Sequence, residues 1–426
     1  MKFCHQCGKP LAGDTPRFCV ECGAPVATMT SASAMSPADS QAVPVEESLL
    51  ALLARDGAPA VREAAAANPL APDWVIRSWR EQLIAKAYRL IDAADPDSSF
   101  DRYLIGADRD MPAEVLQLLA IDTEESVREA VAENPSCPES AIRALAQDES
   151  SGVRAALARN RSAPGDILER LAADPQEWVR GSVAANPCTP HVLLQTLTAT
   201  AGARARVAAN VNAPRDLVMQ LARDPEASVR QGAASNPLLT AELLHELASD
   251  PDPWVRSRVA ARDEVSGDTL VALSRDVESL VRSSAAKNPA TPVSVLVGLS
   301  EDPDDLVRQA VACNPMTPEH VQMSLGRDDW EGVRMGLAEN SSASAIALSF
   351  LADDPDEEVR CAVAANEGTP QDILVALART GDESLRACIA GNPNVPPSLL
   401  AALARDEVSW VRRSAAANPL AASLRT

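Results

Sequence analysis

A repeat of 26 residues constrains this chain more than any single motif in it. Counted from a recurring pair that is usually Val-Arg, units begin at Val61, Asp101, Val127, Val153, Val179, Ala203, Val229, Val255, Val281, Val307, Val333, Val359, Leu385 and Val411. From Asp101 onward, 11 of the 12 intervals are 26 residues, and the exception is the 24 from Val179 to Ala203. The second place is Arg in all 14 units, from Arg62 to Arg412. Self-similarity at such a period marks a solenoid, in which each unit buries its apolar face only against its neighbours. A chain of 426 residues would otherwise suggest several globular domains. A stacked array has no single core to saturate and escapes that limit.

The unit at Val359 shows why the pattern reads as two short helices. Asp354 and Pro355 stand as an N-cap and a first helical residue, where the missing N–H of Pro does no harm. Val359, Val363 and Ala364 then share one helical face. Asn366 ends that helix, since Asn tolerates the left-handed conformation. Thr369-Pro370 starts a second helix, with Leu374 and Leu377 as its buried stripe.

The columns across units agree with this reading. The place of Ala364 is Ala in 13 units and Gly106 in the other, which implies close contact between stacked backbones. The place of Leu377 is Leu in all 12 complete units from Asp101 onward. The cap Asp occurs in 11 of 14 units and the terminal Asn in 12 of 14. The Arg column could be an anion-binding ladder. Its fixed spacing after the cap Asp favours a structural pairing with a carboxylate or helix-end carbonyl of an adjacent unit.

These residues carry a family resemblance. The run Val-Arg-x-x-Val-Ala-x-Asn-Pro-x-Thr-Pro-x-x-x-Leu-x-x-Leu-Ala-x-Asp-Pro resembles the leucine-rich repeat variant family, and Val307–Pro318 and Val179–Pro190 show its first half almost without departure. The resemblance covers roughly residues 47–426. It implies an all-α fold, a right-handed superhelical solenoid of alternating α- and 3-10 helices without strands. The family is also associated with an N-terminal iron–sulfur module. HEAT-type repeats are a more distant likeness with longer helices.

Ahead of the array, residues 4–23 read Cys4-His-Gln-Cys7-Gly8, then a spacer to Phe18, then Cys19-Val-Glu-Cys22-Gly23. Two thiolates two residues apart can chelate one ion in a tight turn, and four soft thiolates suit structural zinc. So short a segment cannot bury a core, and the metal would supply its folding energy. The segment is similar to the short zinc-ribbon modules of many bacterial proteins, with Phe3 and Phe18 before the pairs. An iron–sulfur cluster and a redox dithiol remain alternatives. Cys137, Cys188, Cys313, Cys361 and Cys388 share no column and read as small buried residues. Residues 27–44 are small, polar and aperiodic, a flexible linker between a ribbon at 1–26 and the solenoid at 45–426.

Charge and hydropathy narrow the function. The net charge is −21, of which residues 1–26 contribute +1 (Lys2, Lys9 and Arg17 against Asp14 and Glu21), leaving −22 on the rest. Phosphate backbones are bound by Lys and Arg, so an array this acidic disfavours nucleic acid. Nothing approaches a membrane-spanning run, and the start of the sequence carries no apolar signal segment, which implies a cytoplasmic protein. No phosphate loop, nucleophile elbow or metalloprotease motif appears. The reading is a non-catalytic protein-interaction scaffold. The alternatives are a redox or metal-responsive protein using the Cys cluster, and a HEAT-like enzyme or nucleic-acid binder.

Three irregularities point to contact sites. The unit from Val61 to Phe100 is 40 residues long, and its excess carries Trp74, Trp79 and Tyr88, as a cap on the array or as a docking segment. The residue just before the Val-Arg pair is Trp178, Trp254 or Trp410 in three units and Ser or Gly in many others, so packing does not dictate it. The unit at Val411 lacks a complete second helix before the sequence stops at Thr426, which predicts an open stacking face and weak self-association there.

Overall fold

A computed structural model describes residues 49–93, 99–380 and 383–424. Cys4, Cys7, Cys19 and Cys22, and the linker at 27–44, lie outside the described residues. Among the described residues all secondary structure is helical and there is no strand. A typical repeat is a nine-residue first helix, such as Glu357–Ala365, followed by a seven-residue second helix, such as Gln371–Leu377. Val359, Val363, Ala364, Leu374 and Leu377 are buried, as the spacing requires. Each fully buried Leu or Val contributes about 1.5–3 kcal/mol relative to exposure. The second helices are α-helical where the family resemblance implies 3-10 geometry: Leu374 N–H donates to Pro370 O and Ala352 N–H to Leu348 O, four residues back. The 3-10 helices among the described residues are Ala378–Thr380 and Pro419–Ala422.

Two polar ladders, both visible as sequence columns, tie repeat to repeat. In most units the Arg reaches forward to the Asp 20 residues ahead; Arg180 and Arg360, for which that place is Thr200 and Thr380, bond backbone oxygens of their own turn. Arg308 Nε and Nη2 donate to Asp328 at 2.7 and 3.0 Å, while Nη1 donates to the backbone oxygens of Asp302 and Pro303 at 2.9 and 3.4 Å. The same fork joins Arg128 to Asp148, Arg154 to Asp174, Arg230 to Asp250, Arg256 to Asp276, Arg282 to Asp302 and Arg334 to Asp354. The column is therefore structural. The Asp, however, is not the N-cap. Asp354 accepts from Arg334 and from the N–H of Asp356, and it is Asp356 that caps Glu357–Ala365. A carboxylate already committed to the neighbouring repeat forms the turn before the helix, and Pro355 lies in that turn.

The Asn column also differs from the expectation. Asn366 has φ −67° and ψ 124°, an extended rather than left-handed conformation. Its amide donates to Ala338 O at 2.7 Å and Asn340 O at 2.9 Å in the previous repeat, and its Oδ1 accepts from Gly368 N–H at 2.8 Å. The residue is Asn because a buried helix end leaves carbonyls unpaired, and one amide satisfies two of them. At Arg262, where Asn is replaced, the guanidinium donates to the equivalent oxygens of Ala234 and Asn236 at 3.3 and 2.7 Å.

The array divides into two compact units. One runs from Pro72 to Leu193 and opens with the long helix Asp73–Ala93, which lies against Ser99–Ala107 and Ala113–Leu119 as a cap on that stack would. The other joins Leu194–Thr426 to Glu47–Ala71. Here the first helix of the opening repeat, Pro59–Ala67, packs directly on Ser409–Ala417. Arg412 forks onto Asp56 at 2.7 and 3.1 Å, and Asn68 donates to Ala416 O and Asn418 O at 3.1 and 2.9 Å. These are the ladder contacts of any adjacent pair of repeats, made across the sequence by residues 356 and 350 apart. The stacking face after Val411, expected to be open, is covered by the chain's own first repeat. That removes the ground for self-association through it.

Candidate interaction surface

Once the ladders are assigned, the first helices still present one place free of packing demands. The residue before the Val-Arg pair points outward: Trp178, Trp254 and Trp410 are 51%, 55% and 51% exposed. Phe100 and Leu306, at the same place, are exposed as well. In the unit joining Leu194–Thr426 to Glu47–Ala71, Trp254, Leu280 and Leu306 occupy this place in three consecutive repeats and make an apolar ridge. The next repeat has Gly332 there, and the ring of Trp330 lies over it. Sequence reasoning singled out the Trp residues and missed Leu280 and Leu306, although they stand in the same column.

Charge is segregated along the same helices. The first helices Ala201–Ala209, Ala227–Ala234, Pro253–Ala260 and Ser279–Lys287 contain no carboxylate. Apart from the ladder Arg residues they carry Arg206, Arg258 and Lys287, all exposed and without an ion-pair partner among the described residues. Further along, Glu331–Glu339, Glu357–Ala365 and Glu383–Gly391 carry Glu331, Glu339, Glu357, Glu358 and Glu383 and no cation beyond the ladder. Between the two regions the Cys313 thiol is pushed up by burial and by Glu339, with Lys287 acting in the opposite sense.

The other residues singled out by sequence are dispersed. Trp74 is exposed near the start of Asp73–Ala93; Tyr88 is half-buried on the same helix; Trp79 belongs to it, but its side chain lies outside the described residues. Trp178 sits in one unit and Trp254 and Trp410 in the other. Of the five cysteines in the array only Cys137 is buried, and burial pushes its thiol up to about 12. Cys188 is exposed and Cys313, Cys361 and Cys388 are half-buried, so the expectation that all five are core residues holds for one. Among the described residues no cluster of His, Cys, Asp or Glu could hold a metal ion, and no helix is long and apolar enough to cross a membrane.

The architecture is that of an all-α repeat solenoid, and the comparisons with known proteins concern its repeats. The sequence pattern of the family described as leucine rich repeat variant matches residues 126–150 and 152–176. A solved structure described as a leucine-rich repeat variant with a novel repetitive structural motif is 29% identical, covering 51% of this chain and 87% of its own, with a TM-score of 0.34. An engineered protein is 19% identical over 81% of this chain and 100% of its own, with a TM-score of 0.21. A structure of the Pds5-Scc1 complex is 12% identical over 87% of this chain and 64% of its own, at 0.18. The family match supports repeats of the leucine-rich-repeat-variant type. No curated protein matches the chain.

Proposed function

We propose that the chain is a non-catalytic protein–protein interaction scaffold, with a structural zinc ribbon tethered to a helical-repeat surface. One observation carries the reading. The Arg, Asp and Asn columns are spent on ladders between repeats, while the outward place before the Val-Arg pair holds exposed Phe100, Trp178, Trp254, Leu306 and Trp410. Partly exposed Trp is enriched where binding energy concentrates. The four thiols Cys4, Cys7, Cys19 and Cys22 form a soft donor set in two close pairs, which suits zinc and offers no open position for a substrate.

Affinity capture from a native lysate tests the reading, comparing the intact chain with a variant carrying Trp178→Ser, Trp254→Ser and Trp410→Ser. The variant should keep its helical signal and lose specific partners. An unchanged set of captured proteins would sink the surface. Metal content and an optical spectrum of the same preparations accompany the test. Zinc without colour fits the scaffold, and iron with a brown colour would favour the redox alternative.

A further inference from the structure

A second close approach of backbones shapes the face between Arg206 and Arg258. Gly232, on Ala227–Ala234, lies so near the preceding first helix that a Cβ there would collide with the Ala205 carbonyl oxygen. Ser228 and Ser235 are the exposed residues on either side of it, and Gln231 is half-buried. The helix therefore forms a recessed floor without a long exposed side chain. Arg206 rises from the first helix before it and Arg258 from the first helix after it, at the same place in the repeat. Trp254 stands one helical turn before Arg258 on the same face, and Leu280 continues the ridge in the next repeat.

Arg206 and Arg258 are exposed guanidiniums without an ion-pair partner among the described residues, on a chain of net charge −21. Other arginines nearby are paired: Arg204 with Asp224, Arg230 with Asp250, Arg223 with Glu246. Glu226 and Asp252 stand at the helix starts along one edge of the strip, and the Asp252 carboxylate accepts from the N–H groups of Trp254 and Val255. Neighbouring helices pack roughly 8–10 Å apart, so Arg206 and Arg258 stand on axes about 16–20 Å apart. An extended peptide rises about 3.3 Å per residue and spans that gap in five or six.

We propose that the recessed face of Ala227–Ala234, between Arg206 and Arg258, docks an extended acidic peptide. Two of its carboxylates, five or six residues apart, meet the guanidiniums, and an apolar residue beyond them packs on Trp254 and Leu280. The proposal rests on the scaffold reading and specifies the partner chemistry of one part of its surface. Charge complementarity favours this occupant: the strip offers cations and an aromatic ring and, on its four helices, no carboxylate. Three exposed cations are too few for a nucleic-acid backbone, whose binding scales with the number of phosphates neutralised.

The test uses the intact chain and fluorescein-labelled twelve-residue peptides: one with Glu at two positions five apart and Leu beyond them, one with Gln in place of Glu, and one with Lys. The acidic peptide should bind at least tenfold tighter than the neutral one, and more weakly at high salt. Arg206→Gln with Arg258→Gln should abolish that preference, and Trp254→Ala should weaken binding while keeping it. Neither Arg is part of a ladder, so circular dichroism should be unchanged and loss of binding is not loss of fold. Equal binding of acidic and neutral peptides, an effect absent from the Arg variant, preference for the Lys peptide, or competition by duplex DNA would each overturn the proposal. The scaffold reading fails separately, when the lysate yields no partner that depends on the Trp residues.

Discussion

Arg308 shows what the repeat asks of a single residue. Its guanidinium makes four charge-assisted bonds, two to the Asp328 carboxylate and two to carbonyl oxygens, in a site that leaves the Asp328 side chain 11% exposed. Arg308→Ala should destabilise the chain by about 1–3 kcal/mol in urea melts, because Asp328 and two carbonyls lose their donors together. An Arg308→Ala chain as stable as the original would return the column to an anion-binding role. The Arg column was fully legible in the sequence. Its partner was legible as a class, a carboxylate of an adjacent unit, but not as a residue, because the Asp 20 positions ahead reads in sequence as an N-cap. The Asn column was legible as invariance and misread as conformation. The signal for a left-handed residue and the signal for a buried amide bonding two carbonyls are the same letter in a sequence.

Among elements, the opening repeat matters most. Leu49-Leu50-Ala51-Leu52-Leu53-Ala54-Arg55-Asp56 reads against Leu399-Leu400-Ala401-Ala402-Leu403-Ala404-Arg405-Asp406, so the helix Leu49–Leu53 carries the end of a second helix. The repeat at Val411 has a first helix and a short 3-10 turn, Pro419–Ala422, and then lacks that part. Leu49 N–H donates to Leu424 O at 2.9 Å, and one repeat is assembled from two distant stretches of sequence. The likeness between the two stretches was readable beforehand, but sequence order implied that Val61 stacks ahead of Asp101. Asp56→Ala combined with Asn68→Ala should free the opening repeat. Hydrogen exchange should then rise in Pro59–Ala67 and Ser409–Ala417 together, and sedimentation should show self-association through the newly bared face. Unchanged protection in both helices would contradict the shared repeat.

At the scale of the molecule the ladders make stability depend on acid in one direction. Burial opposes charge at Asp148, Asp174, Asp250, Asp302 and Asp328, yet bonds from Arg and from a backbone N–H outweigh it and hold each carboxyl below the ordinary aspartate range. At Asp276 the Arg256 hydrogen bond is the leading cause, and at Asp56 the Arg412 bond. A depressed folded pKa stabilises above the unfolded value and loses that contribution as pH falls through the folded one. The urea midpoint should therefore be flat from neutral pH down to about 5 and fall steeply below about 4, as many equivalent groups protonate together. A midpoint indifferent to acid would show that the forks hold no net stability. The split repeat carries a different consequence, one of timing. Its halves are about 350 residues apart in order of synthesis, which at roughly 5–20 residues per second is a wait of about 20–70 s. Through that interval the nascent opening repeat holds Leu49, Leu50 and Leu53 without the surface that buries them, so newly made chains carry exposed apolar residues, an aggregation hazard, until the last repeat is synthesised.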